Sequence, residues 1–313
     1  MTAPLRVRAP GKVNLTLLVG PPRGDGYHEL LTVFAPVGLY DELIFEIEAA
    51  PLEEGQSSEP AKVTCPGVPS EGNLVGSALG ALASASGWQL RGSVTVRKHL
   101  PVAAGMGGGS SDAAAALKVG AELIEAAGGP AFSSEELRRL ARELGADVPF
   151  FLDPRPCLAR GVGELMENLR LPPLPLVLTF PDAALSTAEV YRTFDGVAAE
   201  ESGAAFAGRA LRSETAWRSI SRAWESEELI LPELCAQVAG LLFNDLEQAS
   251  FHLLPELLEA KVGLERRGVL GALVSGSGPT VFGLCVSEVE AETIAQELER
   301  DEVHATQVST LAG

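Results

Sequence analysis

Apolar and polar residues alternate near the start of the chain, with the period of two that is typical of β-strands. The alternation covers residues 5–9 and resumes over residues 13–17. Because Pro10 and Gly11 lie between the two runs, the pattern predicts two strands joined by a turn, with Lys12 just beyond it. Leu43, Phe45 and Ile47 recur at every second position among glutamates and predict an edge-like strand.

The middle of the chain predicts helices with clear ends. Residues 73–86 predict a helix that ends at Gly87. A strand over residues 93–100 leads into a glycine-rich loop, and the alanine-rich helix after it runs to Gly128 and Gly129. A Ser133 and Glu136 pair has the spacing of a capping box and predicts the start of a helix over residues 135–144.

Beyond about residue 165 the composition changes, and the proline-rich residues 171–175 predict a crossing between domains. We therefore expect domains at residues 1–165 and 166–313. The second half predicts helices at 234–242, 256–267 and after Ser287, and strands at 269–274, 281–286 and 303–309. Strands and helices do not alternate strictly, so an α+β fold with antiparallel sheets is favoured over a doubly wound one.

Composition limits the classes of function. The 313 residues are 46% hydrophobic, and 42 acidic against 24 basic side chains give a net charge of −18. Such a charge argues against nucleic acid or an anionic membrane as partner. The four cysteines and four histidines have no metal-ligand spacing, which makes structural zinc and a disulfide framework unexpected. With no signal-peptide core and no long apolar run, we expect a cytoplasmic protein.

The strongest chemical signal is a glycine-rich loop that runs directly into the alanine-rich helix. Glycines lack the Cβ atoms that keep backbone amides away from a bulky anion, and a helix N-terminus attracts negative charge. We expect a phosphate-binding loop, with Ser110 or Ser111 capping the helix; a flexible linker is the alternative. The expected nucleotide-binding residues are Pro101, Val102, Ala103, Ala104, Gly105, Met106, Gly107, Gly108, Gly109, Ser110 and Ser111.

This loop is not a Walker A motif, because Ser110 stands where that motif has a lysine. The phosphates must therefore be neutralised by residues distant in sequence or by Mg²⁺ that arrives with the nucleotide. Asp112, directly after the loop, has two interpretations. Its charge could contribute to a metal and water shell, or it could simply favour the helix N-terminus.

Three further clusters are short, polar or glycine-rich and bounded by apolar segments. They comprise PGKVNL with the nearby DGYHEL, then GADVPFF, then GSGPT, at residues 10–15, 25–30, 145–151 and 276–280. The loop contributes a further motif, GMGGGSSDAA, which lies between DGYHEL and GADVPFF along the chain. The motifs in this chain order resemble the GHMP kinase superfamily. The resemblance implies a ribosomal-protein-S5-like N-terminal domain, a ferredoxin-like C-terminal domain, and ATP with Mg²⁺ as cofactors.

Within the superfamily, the five motifs resemble kinases that phosphorylate the C2 hydroxyl of a methylerythritol carrying a cytidine diphosphate, in the non-mevalonate route to isoprenoids. The resemblance implies Lys12 and Asp147 as catalytic residues. From position alone, Lys12 could be solvated and Asp147 could anchor its loop. The resemblance further implies a substrate site formed by Asn14, Tyr27, His28, Thr187, Tyr191, Gly276, Ser277 and Gly278.

Several alternatives stay open. Tyr27 and His28 could be simple turn residues, and residues 275–280 a hairpin turn. A kinase of the same fold could act on homoserine, mevalonate or a sugar, and related diphosphomevalonate decarboxylases use ATP to release carbon dioxide. A nucleotide-binding regulator without catalysis is the non-enzymatic alternative. The expected assembly is a monomer or a homodimer.

Overall fold

The computed structural model describes residues 4–52, 61–67, 72–197 and 201–313. The chain divides into two compact units that are discontinuous in sequence. The first comprises residues 1–11, 39–102 and 107–154, and the second comprises residues 12–38, 103–106 and 155–313. Two long strands, β1 (Leu5–Pro22) and β2 (His28–Pro51), contribute residues to both units.

The described residues of the first unit form a sheet and four helices. Residues 42–51 of β2 pair antiparallel with β4 (Trp88–Arg97), and β4 pairs parallel with the short β3 (Lys62–Thr64). The helices are α1 (Leu74–Ser86), α2 (Gly108–Ala126), α3 (Ser134–Leu144) and α4 (Val148–Leu152). Helix α2 packs against the other three helices of this unit, so its N-terminus is held in a fixed place.

Local signals explain the ends of these helices. The Asn73 side chain accepts a hydrogen bond from the Val75 amide at the start of α1, and Gly87 ends the helix in a left-handed conformation. Ser133 and Glu136 form the predicted capping box at the start of α3. Both predictions are confirmed.

The second unit contains a four-stranded antiparallel sheet in the order β11, β7, β10, β9. Numbered along the chain, that order is 4-1-3-2, which is the ferredoxin-like arrangement that the resemblance implied. Its strands are β7 (Pro175–Thr179), β9 (Gly271–Val274), β10 (Val281–Leu284) and β11 (Ala305–Ser309). Apolar residues of α9 and α10 form the core against this sheet.

The remaining elements of this unit complete the fold. The strands are β5 (Cys157–Gly161), which pairs with residues 30–34 of β2, β6 (Leu165–Asn168) and β8 (Phe243–Asn244). The helices are α5 (Thr187–Val197), α6 (Gly203–Glu225), α7 (Leu231–Ala239), α8 (Glu247–Leu253), α9 (Glu256–Glu265) and α10 (Glu288–Arg300). The predicted α+β class is confirmed. Most strand pairs are antiparallel as predicted, but β3 with β4 and β8 with β1 pair parallel.

Three local predictions were wrong. No turn interrupts the chain at Pro10–Gly11, because β1 runs straight through both residues and Lys12 lies inside the strand. Residues 43–47 do not form an edge, since β2 lies between β4 and β1. The alanine-rich helix begins at Gly108, with Gly107 as N-cap in the left-handed region (φ 70°), so neither Ser110 nor Ser111 caps it.

Candidate active site

Lys12 is the centre of the polar cluster in the second unit. Its backbone amide donates to the Met106 carbonyl at 2.9 Å, which ties β1 to the glycine-rich loop. Its Nζ donates to Asn14 Oδ1 at 2.7 Å and to the Gly105 carbonyl at 2.9 Å. The residue is only 4% exposed, and its ammonium lies 5.5 Å from the centre of the Phe34 ring. The predicted alternative of a solvated Lys12 is therefore wrong.

Asn14 is oriented from its other side. Its Nδ2 donates to Thr32 Oγ1 at 2.8 Å, and that hydroxyl donates to the Thr16 carbonyl at 2.7 Å. Because the amide nitrogen is committed to Thr32, the carbonyl oxygen must face Lys12. This chain of hydrogen bonds fixes both side chains before any ligand binds.

The C-terminal glycine-rich loop closes on the same cluster. Ser275 Oγ donates to the Gly105 carbonyl at 3.3 Å and accepts from the backbone amide of Asn14 at 3.4 Å. Gly276 has a φ of 59°, and a Cβ built on it would lie 3.2 Å from Asn14 Oδ1. Asn244 holds the loop by donating to the Gly276 carbonyl at 2.8 Å. These residues are therefore more than a hairpin turn, since they pack directly on Asn14 and Gly105.

Close backbone approach explains the glycine at 105. Its φ is 73°, and an added Cβ would lie 2.3 Å from the Ser275 carbonyl oxygen. No side chain fits at that distance, and a non-glycine residue would also be strained in the left-handed region. The two glycine-rich loops therefore meet at Gly105 within the second unit.

His28 is the centre of a second cluster in this unit. Its Nδ1 lies 2.7 Å from the Gly20 carbonyl, its Nε2 lies 3.2 Å from Asp195 Oδ1, and the residue is 8% exposed. Its ring packs on Tyr191 at 5.4 Å between ring centres. Tyr27, by contrast, is 61% exposed. The structure thus brings His28 and Tyr191 together, as the resemblance implied, while Tyr27 lies at the surface.

Helix α5 connects this cluster to the C-terminal loop. Thr187, its first residue, has its hydroxyl 2.9 Å from Ser277 Oγ, and the Ser277 carbonyl accepts from Ser250. Tyr191 follows one turn later on the same helix. Four of the predicted substrate residues therefore lie along one path, listed here in order: Ser277, Thr187, Tyr191 and His28.

In the first unit, the start of α2 has polar groups that lack side-chain partners among the described residues. No side chain caps the helix at Gly107, so its first amides have no side-chain acceptor. Ser111 Oγ and Asp112 Oδ1 are both buried, and neither has a hydrogen-bond partner among the described residues. Unpaired buried oxygen atoms of this kind are rare, and a ligand or ion is a common explanation for them.

Beneath this helix end lies a buried ionic cluster that the sequence did not reveal. Lys98 Nζ contacts a carboxylate oxygen of Asp41 and lies 2.9 Å from Asp112 Oδ2. Asp41 Oδ1 also accepts from the amides of His99 and Leu100. A Cβ built on Gly108 would lie 3.1 Å from Lys98 Nζ. The ammonium therefore lies directly against the backbone at the end of the glycine-rich loop.

The cluster shifts the ionisation of its members. Burial raises the pKa of Asp112 to about 6; Lys98 opposes this shift and the negative charge of Asp41 adds to it. Burial alone would lower the pKa of Lys98, but the attraction of Asp112 and the hydrogen bond to Asp41 leave it raised. Because two carboxylates share one ammonium, the first turn of α2 has an excess of negative charge near neutral pH.

Asp147 belongs to the first unit, where it is the N-cap residue of α4. It precedes the buried apolar residues 148–151, as the sequence predicted. Lys12 belongs to the second unit. The catalytic role of Asp147 stays a prediction.

Comparison with known proteins supports the family resemblance. The model of the GHMP kinases N terminal domain matches residues 73–153, and that of the GHMP kinases C terminal matches residues 230–304. A protein of Pelotomaculum thermopropionicum named 4-diphosphocytidyl-2-C-methyl-D-erythritol kinase is 40% identical over 294 residues, which cover 93% of each chain. The chain belongs to the 4-diphosphocytidyl-2-C-methyl-D-erythritol kinase family. A family member from Paenarthrobacter aurescens is 38% identical over 94% of this chain and 89% of its own length.

Solved structures agree with this assignment. A crystal structure of 4-(cytidine 5'-diphospho)-2C-methyl-D-erythritol kinase has a TM-score of 0.72 and 34% identity, and the match covers 99% of this chain and 100% of that one. Homoserine kinase from Cytophaga hutchinsonii, at 18% identity and a TM-score of 0.69, shares the fold over 100% of this chain and 96% of its own. The predictions of a GHMP fold and of a kinase in this family are confirmed.

Two further predictions concern the domain boundary and membrane-spanning segments. The two family models fall on opposite sides of residue 165, but the division into domains 1–165 and 166–313 stays a prediction. In the part of the chain that the structure describes, no helix has the length and apolar character needed to cross a membrane.

Proposed function

We propose that this protein transfers the γ-phosphoryl group of ATP to the C2 hydroxyl of 4-diphosphocytidyl-2-C-methyl-D-erythritol. The products are the 2-phosphate and ADP, in the non-mevalonate route to isoprenoid precursors. The observation that carries the proposal is the buried ammonium of Lys12, fixed between Asn14 Oδ1 and the Gly105 carbonyl of the phosphate loop. Membership of the kinase family supplies the class of reaction.

In the proposed reaction, the C2 oxygen forms a bond to the γ-phosphorus while the bond from that phosphorus to the β,γ-bridging oxygen breaks. The hydroxyl proton passes to the carboxylate of Asp147, which we propose on the basis of its GADVPFF motif. Lys12 offsets negative charge on the transferring group. Positioning and charge compensation account for most of the catalysis of phosphoryl transfer, so few reactive side chains are needed.

We further propose that residues 101–111 bind ATP, with backbone amides at the start of α2 facing the phosphates. Mg²⁺ would accompany the nucleotide and offset its charge. The unpartnered oxygens of Ser111 and Asp112 fit a hard cation, because hydroxyl and carboxylate oxygens are the ligands that Mg²⁺ prefers. The excess negative charge of the buried cluster below also favours a cation at this place.

The cytosine ring would bind in the cluster around His28. Tyr191 packs on the histidine ring and offers a face for stacking, and the exposed Tyr27 could close over the base from outside. The methylerythritol and diphosphate portions would extend along the path through Thr187 to Ser277. The end of this path nearest to Lys12 would then be lined by Asn14, Gly276 and Gly278. The close packing of Gly276 on Asn14 supports this placement.

One assay tests the proposal. ADP release should be measured with ATP, Mg²⁺ and a panel of acceptors: the cytidine diphosphate-linked methylerythritol, homoserine, mevalonate and a hexose. We expect turnover with the first alone. Efficient turnover of another acceptor would move the protein to a different branch of the superfamily, and carbon dioxide release would indicate a decarboxylase.

The predictions of a cytoplasmic location, of a monomer or homodimer, and of no nucleic-acid or membrane partner stay predictions. A small molecule is the partner that the family implies.

A further inference from the structure

Helix α5 carries an acidic residue beside the cluster around His28. None of the five sequence motifs includes this residue. Asp195 follows Tyr191 by four residues, which places both on the same face of the helix. Its Oδ1 lies 3.2 Å from His28 Nε2. His28 is nearly buried, whereas the Asp195 side chain is 48% exposed. The carboxylate therefore forms the solvent side of the cluster, where an incoming base would meet it.

The orientation of the histidine ring leaves little choice about what faces Asp195. A carbonyl oxygen only accepts hydrogen bonds, so His28 Nδ1 must donate to Gly20. Tyr191 and Phe194 pack on the ring at 5.4 Å and 6.1 Å between ring centres. With Nδ1 on Gly20, the opposite ring nitrogen, Nε2, faces Asp195.

The position of α5 is also set at its beginning. The Thr187 hydroxyl contacts Ser277 Oγ, and the C-terminal loop that carries Ser277 is held by Asn244 and Ser250. The carboxylate of Asp195 is thus carried by a helix whose first turn is fixed to the substrate path.

We propose that Asp195 is a specificity-determining residue that selects a nucleobase with a 4-amino group over one with a 4-oxo group. An ionised carboxylate can only accept hydrogen bonds. The exocyclic amino group of cytosine donates, so it can bridge to Asp195 beside His28. The corresponding oxygen of uracil accepts, and it would place two acceptors against each other. Discrimination then comes from repulsion of the wrong base as well as attraction of the right one.

This inference rests on the proposed function, because it needs a cytidine-linked substrate at this cluster. Its test is the ratio of kcat/KM values for the cytidine- and uridine-linked forms of the substrate. The parent enzyme should prefer the cytidine form strongly. Asp195→Asn retains the shape of the side chain but offers an amide N–H to a 4-oxo group, so we expect the ratio to fall by about tenfold or more, partly through faster use of the uridine form.

Two further variants separate specificity from structure. Asp195→Glu keeps an acceptor-only group and should retain the cytidine preference. Glu189→Gln makes the same chemical change at an exposed position in the first turn of α5 and should leave the ratio unchanged.

The outcomes are distinguishable. A cytidine preference in the parent that survives unchanged in Asp195→Asn would overturn the inference alone and leave Asp195 as a structural contact of His28. A parent enzyme that uses both forms equally would also overturn the inference alone. A parent enzyme that uses neither form would overturn the proposed substrate and the inference with it.

Discussion

Lys12 Nζ and Asn14 Oδ1 lie 2.7 Å apart on the same strand, two residues from each other, and both side chains are buried. Residues at i and i+2 of a strand share one face of the sheet, so β1 itself brings the two groups together. The second hydrogen bond of the ammonium, to the Gly105 carbonyl, connects this face to the glycine-rich loop.

Replacement of the ammonium should therefore affect catalysis. We expect Lys12→Met to lower kcat by about 100-fold or more, because the transferring phosphoryl group loses its charge compensation. Steady-state kinetics should be combined with circular dichroism to verify folding. A folded Lys12→Met enzyme with near-normal kcat would exclude a catalytic role for the ammonium.

Asp147→Asn preserves the size of the side chain and removes the proposed proton acceptor. We expect kcat to fall by about two orders of magnitude or more, while ATP affinity by calorimetry stays close to that of the parent. Asp153→Asn, at the other end of α4, is the matched control and should retain activity. Equal effects of the two substitutions would indicate that Asp147 only anchors its loop.

Gly105→Ala tests the meeting point of the two loops. The added Cβ would lie 2.3 Å from the Ser275 carbonyl oxygen, and alanine is strained at a φ of 73°. We expect the free energy of unfolding to fall by about 2 kcal/mol or more, measured by denaturant titration. Gly80→Ala, inside α1 with nothing within 4 Å of the added Cβ, should instead be neutral or stabilising. Similar effects of both changes would contradict the packing described for Gly105.

The buried cluster below α2 predicts a pH dependence of stability. Because the pKa of Asp112 is raised in the folded state, from 3.8 to about 6, the folded protein binds more protons than the unfolded one between these values. The contribution of Asp112 to the free energy of unfolding is therefore present below about pH 4 and is lost as the pH rises above 6. The two-unit shift corresponds to roughly 2–3 kcal/mol.

Asp112→Asn cannot titrate, so the free energy of unfolding of the variant relative to the parent should rise across that pH range. Denaturant titrations at several pH values between 4 and 7.5 measure the difference. Asp182→Asn, in an exposed loop, is the control and should show a constant difference. A pH-independent difference for Asp112→Asn would contradict the raised pKa.

Sequence patterns predicted features whose cause is local. The helix end at Gly87 and the capping box at Ser133 depend on residues within one turn of the helix end, and the five motifs depend on residue types in short runs. The turn expected at Pro10–Gly11 failed for the opposite reason. Local turn preference was overridden by the long strand β1, which bonds to the glycine-rich loop through the Lys12 amide and the Met106 carbonyl.

Contacts that depend on register could not be predicted. Asp41 and Lys98 are 57 residues apart and meet because the pairing of β2 with β4 places Glu42 opposite Arg97. Asp195 has no motif of its own, and the only signal for it is its spacing of four residues from Tyr191 on a helix that the sequence analysis did not predict.

The most direct test of the proposed reaction is the identity of its product. The enzyme should be incubated with ATP, Mg²⁺ and 4-diphosphocytidyl-2-C-methyl-D-erythritol, and the product should be analysed by phosphorus NMR and mass spectrometry. We predict one new phosphomonoester at the C2 oxygen, formed in equal amount to ADP and formed about 100-fold or more slowly by Asp147→Asn. ADP formed without that phosphomonoester, or a phosphate on another oxygen, would contradict the account.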